Sequence, residues 1–225
     1  MKDAPHYTGH RQRLKERLLR DPASLADYEI LELTLAAALP RCDTKPLAKQ
    51  LLAAFGGLRE ALLAPDEELL RQKGFGPGLQ AHWTLLRELF ARQLEGIARE
   101  REILDAPDVV AEAAKLRFGG KIREEFWVAL VDNKNRVIGW ETVSKGTVDE
   151  TAVYPREVLA LALSRGAAGL ILAHNHPGGD PTPSPEDVLL TGRIKRGCSE
   201  LGIRLLDHVV VTAHEYYSFQ ENGRL

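Results

Sequence analysis

Residues 169–187 read GLILAHNHPGGDPTPSPED and join an apolar run, two histidines, a loop rich in glycine and proline, and a helix start. The run 169–173 is short and hydrophobic throughout, which predicts a buried strand. Side chains alternate faces along a strand, so His174 and His176 point the same way, about 7 Å apart along the backbone. Two imidazoles on one face of a strand end can converge on one metal ion.

Ser184 and Asp187 follow the loop and have two interpretations. Ser184 is a good helix N-cap, Pro185 suits the first helical turn, and Asp187 completes a capping box. The same loop can bring the carboxylate of Asp187 back to His174 and His176, and two histidines with one carboxylate are a common catalytic zinc set. The two interpretations are compatible, because a capping carboxylate has a second oxygen for a metal. The sequence therefore predicts a Zn²⁺ site at these three side chains.

The spacing of this stretch resembles the JAMM motif of the MPN superfamily of zinc metalloproteins: His-x-His, seven residues, Ser, two residues, Asp. Asn175 and the run GDPTPS resemble one branch, the bacterial RadC family, as do DNKNRV at 132–137, VYPREV at 153–158 and LDHVVV at 206–211. Two positions depart from the patterns. Gly178 stands where the RadC branch usually has Ser, and Asn175 stands where the deubiquitinating relatives carry Ser or Thr. The second departure argues against a ubiquitin-like substrate and leaves metal binding untouched.

The resemblance implies a zinc metallopeptidase, in which a metal-activated water attacks a peptide or isopeptide bond of a protein substrate. A glutamate at the start of the first strand then acts as general base. Glu124 matches the RadC-like Arg-Glu-x-Phe pattern, and Glu125 is the alternative, because alternation places the two on opposite faces. Ser184 is predicted to donate its hydroxyl to the oxyanion. Glu141 and Glu150 are candidates of lower rank.

Asp207 and His208, just before a valine-rich run, have two further interpretations. They are either hydrogen-bonded structural residues of the strand or an outer support for the metal ligands.

Composition limits the remaining classes of function. The chain has 225 residues, of which 44% are hydrophobic and 28% charged, with a net charge of −2. These values are ordinary for a globular protein and give no global basic field that would attract nucleic acid. Cys42 and Cys198 lack CxxC spacing, so no disulfide framework is expected. Without a signal peptide or an apolar run that spans a bilayer, we expect a cytoplasmic protein with no membrane partner.

The pattern along the chain predicts an all-helical domain at residues 1–105 and an α/β domain with a mostly antiparallel or mixed sheet at residues 106–225. The resemblance implies that the second domain is JAMM/MPN-like with a mixed sheet. Periodicity predicts helices at 25–39, 45–55, 58–63, 66–72, 79–101, 108–118, 155–165 and 185–201. Strands are predicted at 126–131, 136–144, 169–174, 203–212 and 216–219. In the helix at 79–101, an apolar face containing Trp83, Leu89 and Phe90 is interpreted as core.

Residues 73–78 read KGFGPG and join two of these helices. A hairpin of this kind can point backbone N–H groups at a phosphate, and it resembles the helix-hairpin-helix element that the RadC resemblance implies. The other interpretation is a tight turn that needs the positive φ of glycine. A basic cluster near the N-terminus is likewise either a solvated helix face or a phosphate-contacting arm; it contains His10, Arg11, Arg13, Lys15, Arg17 and Arg20.

These features support an alternative function from another class. The chain would be an accessory protein of DNA repair or recombination, with weak, non-specific DNA binding through the N-terminal domain and the zinc domain as a scaffold.

Overall fold

The computed structural model describes residues 6–100, 107–145 and 153–225 and shows a mixed α/β protein, as predicted. The chain divides into two compact units, Met1–Leu86 and Arg87–Leu225. This division falls within a long helix. The predicted boundary between residues 105 and 106 lies outside the described residues and stays a prediction. None of the helices in the described ranges combines the length and apolar character needed to cross a bilayer.

The N-terminal unit is helical. Its helices are α1 His6–Arg20, α2 Asp27–Ala38, α3 Lys45–Phe55, α4 Leu58–Leu63, α5 Asp66–Arg71 and the first part of α6 Pro77–Glu100. Trp83 lies in the core of this unit, packs edge-on against Phe75, and donates from its indole nitrogen to the carbonyl of Ala61 at 3.0 Å. The core interpretation was wrong for Leu89 and Phe90, which are exposed on α6.

The C-terminal unit contains a five-stranded sheet. Its strands are β1 Glu125–Val131, β2 Val137–Lys145, β3 Gly169–Asn175, β4 Arg204–Val211 and β5 Tyr216–Ser218. The order in the sheet is β2-β1-β3-β4-β5, and β3 and β4 are parallel while the other neighbours are antiparallel. The mixed sheet predicted from the sequence is therefore confirmed.

Helices cover both faces of this sheet. They are α7 Pro107–Ala114, which continues into a π-helical turn Lys115–Gly119, and α8 Pro155–Ser164 and α9 Pro185–Glu200. Alternate side chains of β1 and β3 pack against α8 and α9 on one face, and against α7 and the π-helical turn on the other. Because both faces of β3 are covered, its residues 169–175 are all buried, which explains the continuous apolar run at 169–173.

Strand directions decide which segments meet at the end of β3. β1 runs antiparallel to β3, with Phe126 opposite His174, so the residues just before β1 lie beside the end of β3. β4 runs parallel to β3, with Leu172 opposite His208. The loop after β3 leads into α9. Four segments that are distant in sequence therefore meet around His174.

Candidate metal centre

The three predicted ligands lie together in the structure. His174, His176 and Asp187 each offer one ligand atom, and these atoms lie within 4.8 Å of one another. The Nε2 atoms of the two histidines are 3.0 Å apart, and His174 Nε2 is 3.3 Å from Asp187 Oδ1. Tetrahedral zinc with bonds of about 2.0–2.1 Å separates its nitrogen and oxygen ligands by about 3.3 Å. The donor set and its spacing fit an ion of this size.

The loop after β3 returns its chain to His176. Strand pairing continues one residue past β3, because the backbone nitrogen of His176 donates to Val211 at 2.9 Å. Gly179 has a φ of 84° and makes a turn in which its nitrogen donates to the carbonyl of His176. The carbonyl of Asp180 lies 2.8 Å from His176 Nδ1. A carbonyl only accepts, so the proton of the neutral ring is on Nδ1 and a lone pair on Nε2 faces the site.

The position of Asp187 suits both roles considered for it from sequence. Its Oδ2 atom accepts from the backbone nitrogen and the hydroxyl of Ser184, both at 2.7 Å, and Ser184 Oγ accepts from the nitrogen of Asp187 in return. This capping box begins α9. The other oxygen, Oδ1, faces His174 Nε2. Oδ2 therefore caps the helix and also lies 3.5 Å from His176 Nε2, while Oδ1 faces His174.

Charge around the site favours a bound cation. Burial acts to raise the pKa of Asp187, but hydrogen bonds with His174 and His176 outweigh it and hold that pKa far below the usual range. The hydrogen bond to Asp187 raises the pKa of His176 against desolvation, and the charge of Glu124 acts in the same direction. The site therefore holds an ionised carboxylate, with a second carboxylate near it.

The two candidate bases differ in their surroundings. Glu124 is half-buried and close enough to His176 to influence its pKa. Glu125 is buried and accepts from Lys121 Nζ at 2.8 Å and from Trp127 Nε1 at 2.9 Å. Phe126, two residues after Glu124 and therefore on the same face in strand alternation, stacks on the ring of His174 at 5.8 Å. Glu124 thus lies beside the candidate ligands, whereas Glu125 is engaged with Trp127 on the other face of β1.

Asn175 has a structural role that the sequence reasoning missed. Asn175 lies between His174 and His176 in sequence, and its side chain is fully buried. Strand alternation directs it to the face opposite the two histidines. Oδ1 accepts from the nitrogen of Glu125 at 2.8 Å, and Nδ2 donates to the carbonyls of Lys121 and Arg123, each at 3.1 Å. The sequence feature that could have revealed this role is an amide side chain at the end of a strand that is buried. Asn175 therefore holds the segment that carries Glu124 against the end of β3.

Asp207 and His208 divide the two interpretations given to them. Asp207 is buried and accepts from Ser218 Oγ at 2.6 Å and from the nitrogens of Gln220 and His208, so it is a structural anchor of the C-terminal segment. Burial raises its pKa. His208 is fully buried and lies against the candidate ligand His174, with His208 Nε2 2.9 Å from His174 Nδ1. Complete burial lowers the pKa of His208 well below the ordinary histidine value.

Comparison with known proteins agrees with this arrangement. A family model for the RadC-like JAB domain matches residues 104–224. The chain is also 40% identical over 217 residues to the UPF0758 protein SPO0054 of Ruegeria pomeroyi. The aligned region covers 96% of this chain and 97% of that relative. The chain belongs to the RadC family. Its C-terminal part is a JAB domain of the JAMM-type fold, as the resemblance implied, preceded by the helical N-terminal region.

The other predicted site residues of this RadC-family chain lie as follows. Ser184 directs its hydroxyl to Asp187 Oδ2 in this structure, so donation to an oxyanion requires that bond to be given up, and the oxyanion role stays a prediction. Glu141 pairs with Arg165 and is not part of the His174, His176 and Asp187 cluster. Glu150 lies outside the described residues.

The N-terminal hairpin and basic cluster show mixed features. Gly74 has a φ of 94°, as a tight turn requires, and α6 begins three residues later at Pro77. Within the basic cluster, Arg17 pairs with Glu29, and Arg11 donates to the carbonyls of Pro40 and Cys42. Other members are exposed on α1: Arg13, Lys15 and Arg20. Part of the cluster is therefore committed to packing within the helical unit.

Proposed function

We propose that this RadC-family chain is a zinc-dependent hydrolase of the JAMM type that cleaves a peptide or isopeptide bond in a protein substrate. The observation that carries the proposal is the convergence of His174, His176 and Asp187, whose ligand atoms lie within 4.8 Å of one another. A lone pair of His176 faces another ring nitrogen at 3.0 Å and an ionised carboxylate. Such a set of acceptors repels itself unless a cation or a proton lies among them. Two imidazoles and a carboxylate are also the ligand types of catalytic zinc.

The metal would be held by His174, His176 and Asp187. When bound, zinc supplies a Lewis acid that polarises a carbonyl and brings the pKa of water down to about 7. These side chains alone leave one tetrahedral position for the reacting groups.

Glu124 would move the proton. Its position beside His176 supports a role in accepting a proton from water and returning it to the leaving amine. The bonds of Asn175 restrict the backbone on both sides of Glu124. Because the carboxylate of Glu125 is used by Lys121 and Trp127, the surroundings support Glu124 over Glu125.

Metal content and cleavage test the proposal together. We expect about one zinc per chain in the purified protein and a severe loss in His176→Ala, because the two remaining ligands cannot complete the site. His214→Ala is the matched control, since that histidine is exposed and outside the ligand set. A peptide library should then be cut by the zinc-loaded chain and not by the chelated chain.

Two results would contradict this proposal separately. Equal zinc in the wild type and His176→Ala would remove the ligand assignment. Zinc bound at this site without chelator-sensitive cleavage of any library would remove the hydrolase and leave a structural metal.

A second candidate function is DNA binding by the helical region in a repair or recombination accessory role. One observation favours it: a Cβ added at Gly76 or Gly78 meets nothing within 4 Å, so the backbone of the hairpin is open to a phosphate. The exposed Arg13, Lys15 and Arg20 would add charge if they reach the same nucleic acid. With a net charge of −2 over the chain, we propose weak, non-specific contacts.

A further inference from the structure

A chain of hydrogen bonds links α9 to the candidate ligand His174. Thr191 Oγ1 lies 2.6 Å from the carbonyl oxygen of Asp187 and 2.6 Å from His208 Nδ1. His208 Nε2 lies 2.9 Å from His174 Nδ1. The series begins at the backbone of Asp187 and ends at the imidazole that faces the carboxylate of the same residue.

The direction of these bonds follows from the groups present. A backbone carbonyl only accepts, so the single hydroxyl proton of Thr191 is donated to Asp187. Toward His208 the hydroxyl oxygen must therefore accept, and the proton of His208 must lie on Nδ1.

The surroundings of His208 determine its other nitrogen. The ring is fully buried, stacked on Phe219 at 4.8 Å and near Phe126 at 5.6 Å. Two aromatic neighbours and complete burial disfavour a charged imidazolium. A neutral ring that donates from Nδ1 carries a lone pair on Nε2. His174 must then donate from its Nδ1, which leaves a lone pair on His174 Nε2.

We infer that Thr191 and His208 are positioning residues that hold His174 in the tautomer whose Nε2 lone pair faces the metal. This inference rests on the proposed function, because it assigns the outer support of that zinc site. An imidazole in the opposite tautomer presents an N–H at the same point and cannot act as a ligand. Hydrogen bonds from outside a metal site commonly fix ligand histidines in this manner. His176 has its own support in the carbonyl of Asp180.

Nitrogen NMR of the zinc-free, full-length protein tests the proton positions directly. Ring-nitrogen signals should show that His208 carries its proton on Nδ1. They should also show that His174 carries a proton on Nδ1, the nitrogen that faces His208. In Thr191→Val, which keeps the shape but removes the acceptor, the His208 proton should shift toward Nε2. A wild-type His208 protonated on Nε2 would overturn the inference, whatever the protein does with zinc.

Zinc affinity in a chelator competition gives the second readout. We expect Thr191→Val to bind zinc about 10–100-fold more weakly than the wild type, the range for losses of outer support. Thr191→Ser keeps the hydroxyl and should bind close to wild type, even if the lost methyl lowers stability. Both variants are compared after circular dichroism shows that they are folded.

The outcomes separate the two ideas. Wild-type affinity in folded Thr191→Val, together with lost zinc in His176→Ala, would overturn the positioning role and leave the proposed metal site intact. Equal zinc in the wild type and His176→Ala would instead contradict the proposed function. In that case, even if the proton of His208 is found on Nδ1, the hydrogen-bond series would orient no metal ligand, which also overturns the positioning role.

Discussion

The backbone nitrogen of Glu125 donates to the side-chain Oδ1 of Asn175 across 2.8 Å, although the two residues are 50 positions apart. The same asparagine donates to the carbonyls of Lys121 and Arg123. One side chain thus ties β3 to the segment just before β1, and Glu124 lies within the tied segment.

Replacing Asn175 tests this tie. Asn175→Ala leaves the buried nitrogen of Glu125 without its acceptor, and we expect a loss of about 1–3 kcal/mol in unfolding free energy, measured by denaturant titration. Zinc content should persist, because His174, His176 and Asp187 remain. Asn133→Ala, at an exposed hairpin position, should change stability by less than about 0.5 kcal/mol. Equal stability of the two variants would show that the tie contributes nothing.

Glu124 and Glu125 give a matched pair for the proton-transfer role. We expect Glu124→Gln to retain zinc and lose about 10²-fold or more in cleavage rate, because glutamine cannot accept the proton. Glu125→Gln should retain most of the rate, since glutamine keeps one acceptor oxygen, and in the wild type Oε2 alone accepts from both Lys121 and Trp127. Rates are measured on a peptide selected from the library at saturating zinc. An inactive Glu125→Gln beside an active Glu124→Gln would reverse the assignment.

Ser184→Ala distinguishes the cap from the predicted oxyanion donor. Loss of the cap should lower the unfolding free energy by about 1 kcal/mol. Loss of an oxyanion donor should also lower the cleavage rate by about 10²–10³-fold at saturating zinc. Ser164→Ala is the control, because Ser164 is exposed and bonds only to a carbonyl of its own helix. If Ser184→Ala is destabilised but its cleavage rate is unchanged, Ser184 acts only as a helix cap and as a hydrogen-bond partner of Asp187.

The unfolding free energy of the zinc-free protein should vary with pH, and His176 should account for part of that variation. Its contact with Asp187 raises the folded pKa above the ordinary value of 6.5. The resulting stabilisation is therefore complete below pH 6.5 and is lost as pH rises through the raised folded pKa. We expect the difference in unfolding free energy between the wild type and His176→Ala to be larger at about pH 5.5 than at about pH 9. A difference that grows with pH would contradict the predicted sign, and His214→Ala serves as the control.

Gly78 offers a test of DNA binding. The full-length chain should bind duplex or single-stranded oligonucleotides with Kd of roughly 10⁻⁴ to 10⁻⁶ M, weakening steeply with salt. Gly78→Asp places a carboxylate at the start of α6, where it suits the helix but repels phosphate, so binding should fall without loss of stability. Gly78→Ala should bind as the wild type does. No binding at low salt would remove the DNA role, and tight, sequence-selective binding would favour it over the hydrolase.

Local pattern was sufficient for the features that depend on neighbouring residues. The helices Lys45–Phe55 and Leu58–Leu63 have their predicted bounds, because glycine and proline mark their ends. His174, His176 and Asp187 were predicted together because strand alternation, a short loop and a helix start bring them to one place.

Features that depend on strand neighbours were beyond local pattern. The contact of His208 with His174 spans 34 positions and exists because β4 lies beside β3 in parallel register. The sequence alone did not show that β4 lies beside β3. His208 therefore had two interpretations, and Thr191 was given no role. Glu124 and Glu125 were likewise hard to distinguish from sequence, because both are carboxylates at the start of the same strand. The pairing of Phe126 with His174 provides the reference by which their faces differ.

The capping box at Ser184 and Asp187 makes helix initiation and ligand placement a single folding event. An α-helix turns about 100° per residue, so a start displaced by one residue would swing the carboxylate of Asp187 away from the histidines. The length of the loop between His176 and Ser184 is therefore constrained by angle as well as by reach. An inserted residue in this loop would be harmless only where the extra chain bulges outward and α9 still begins at the same serine.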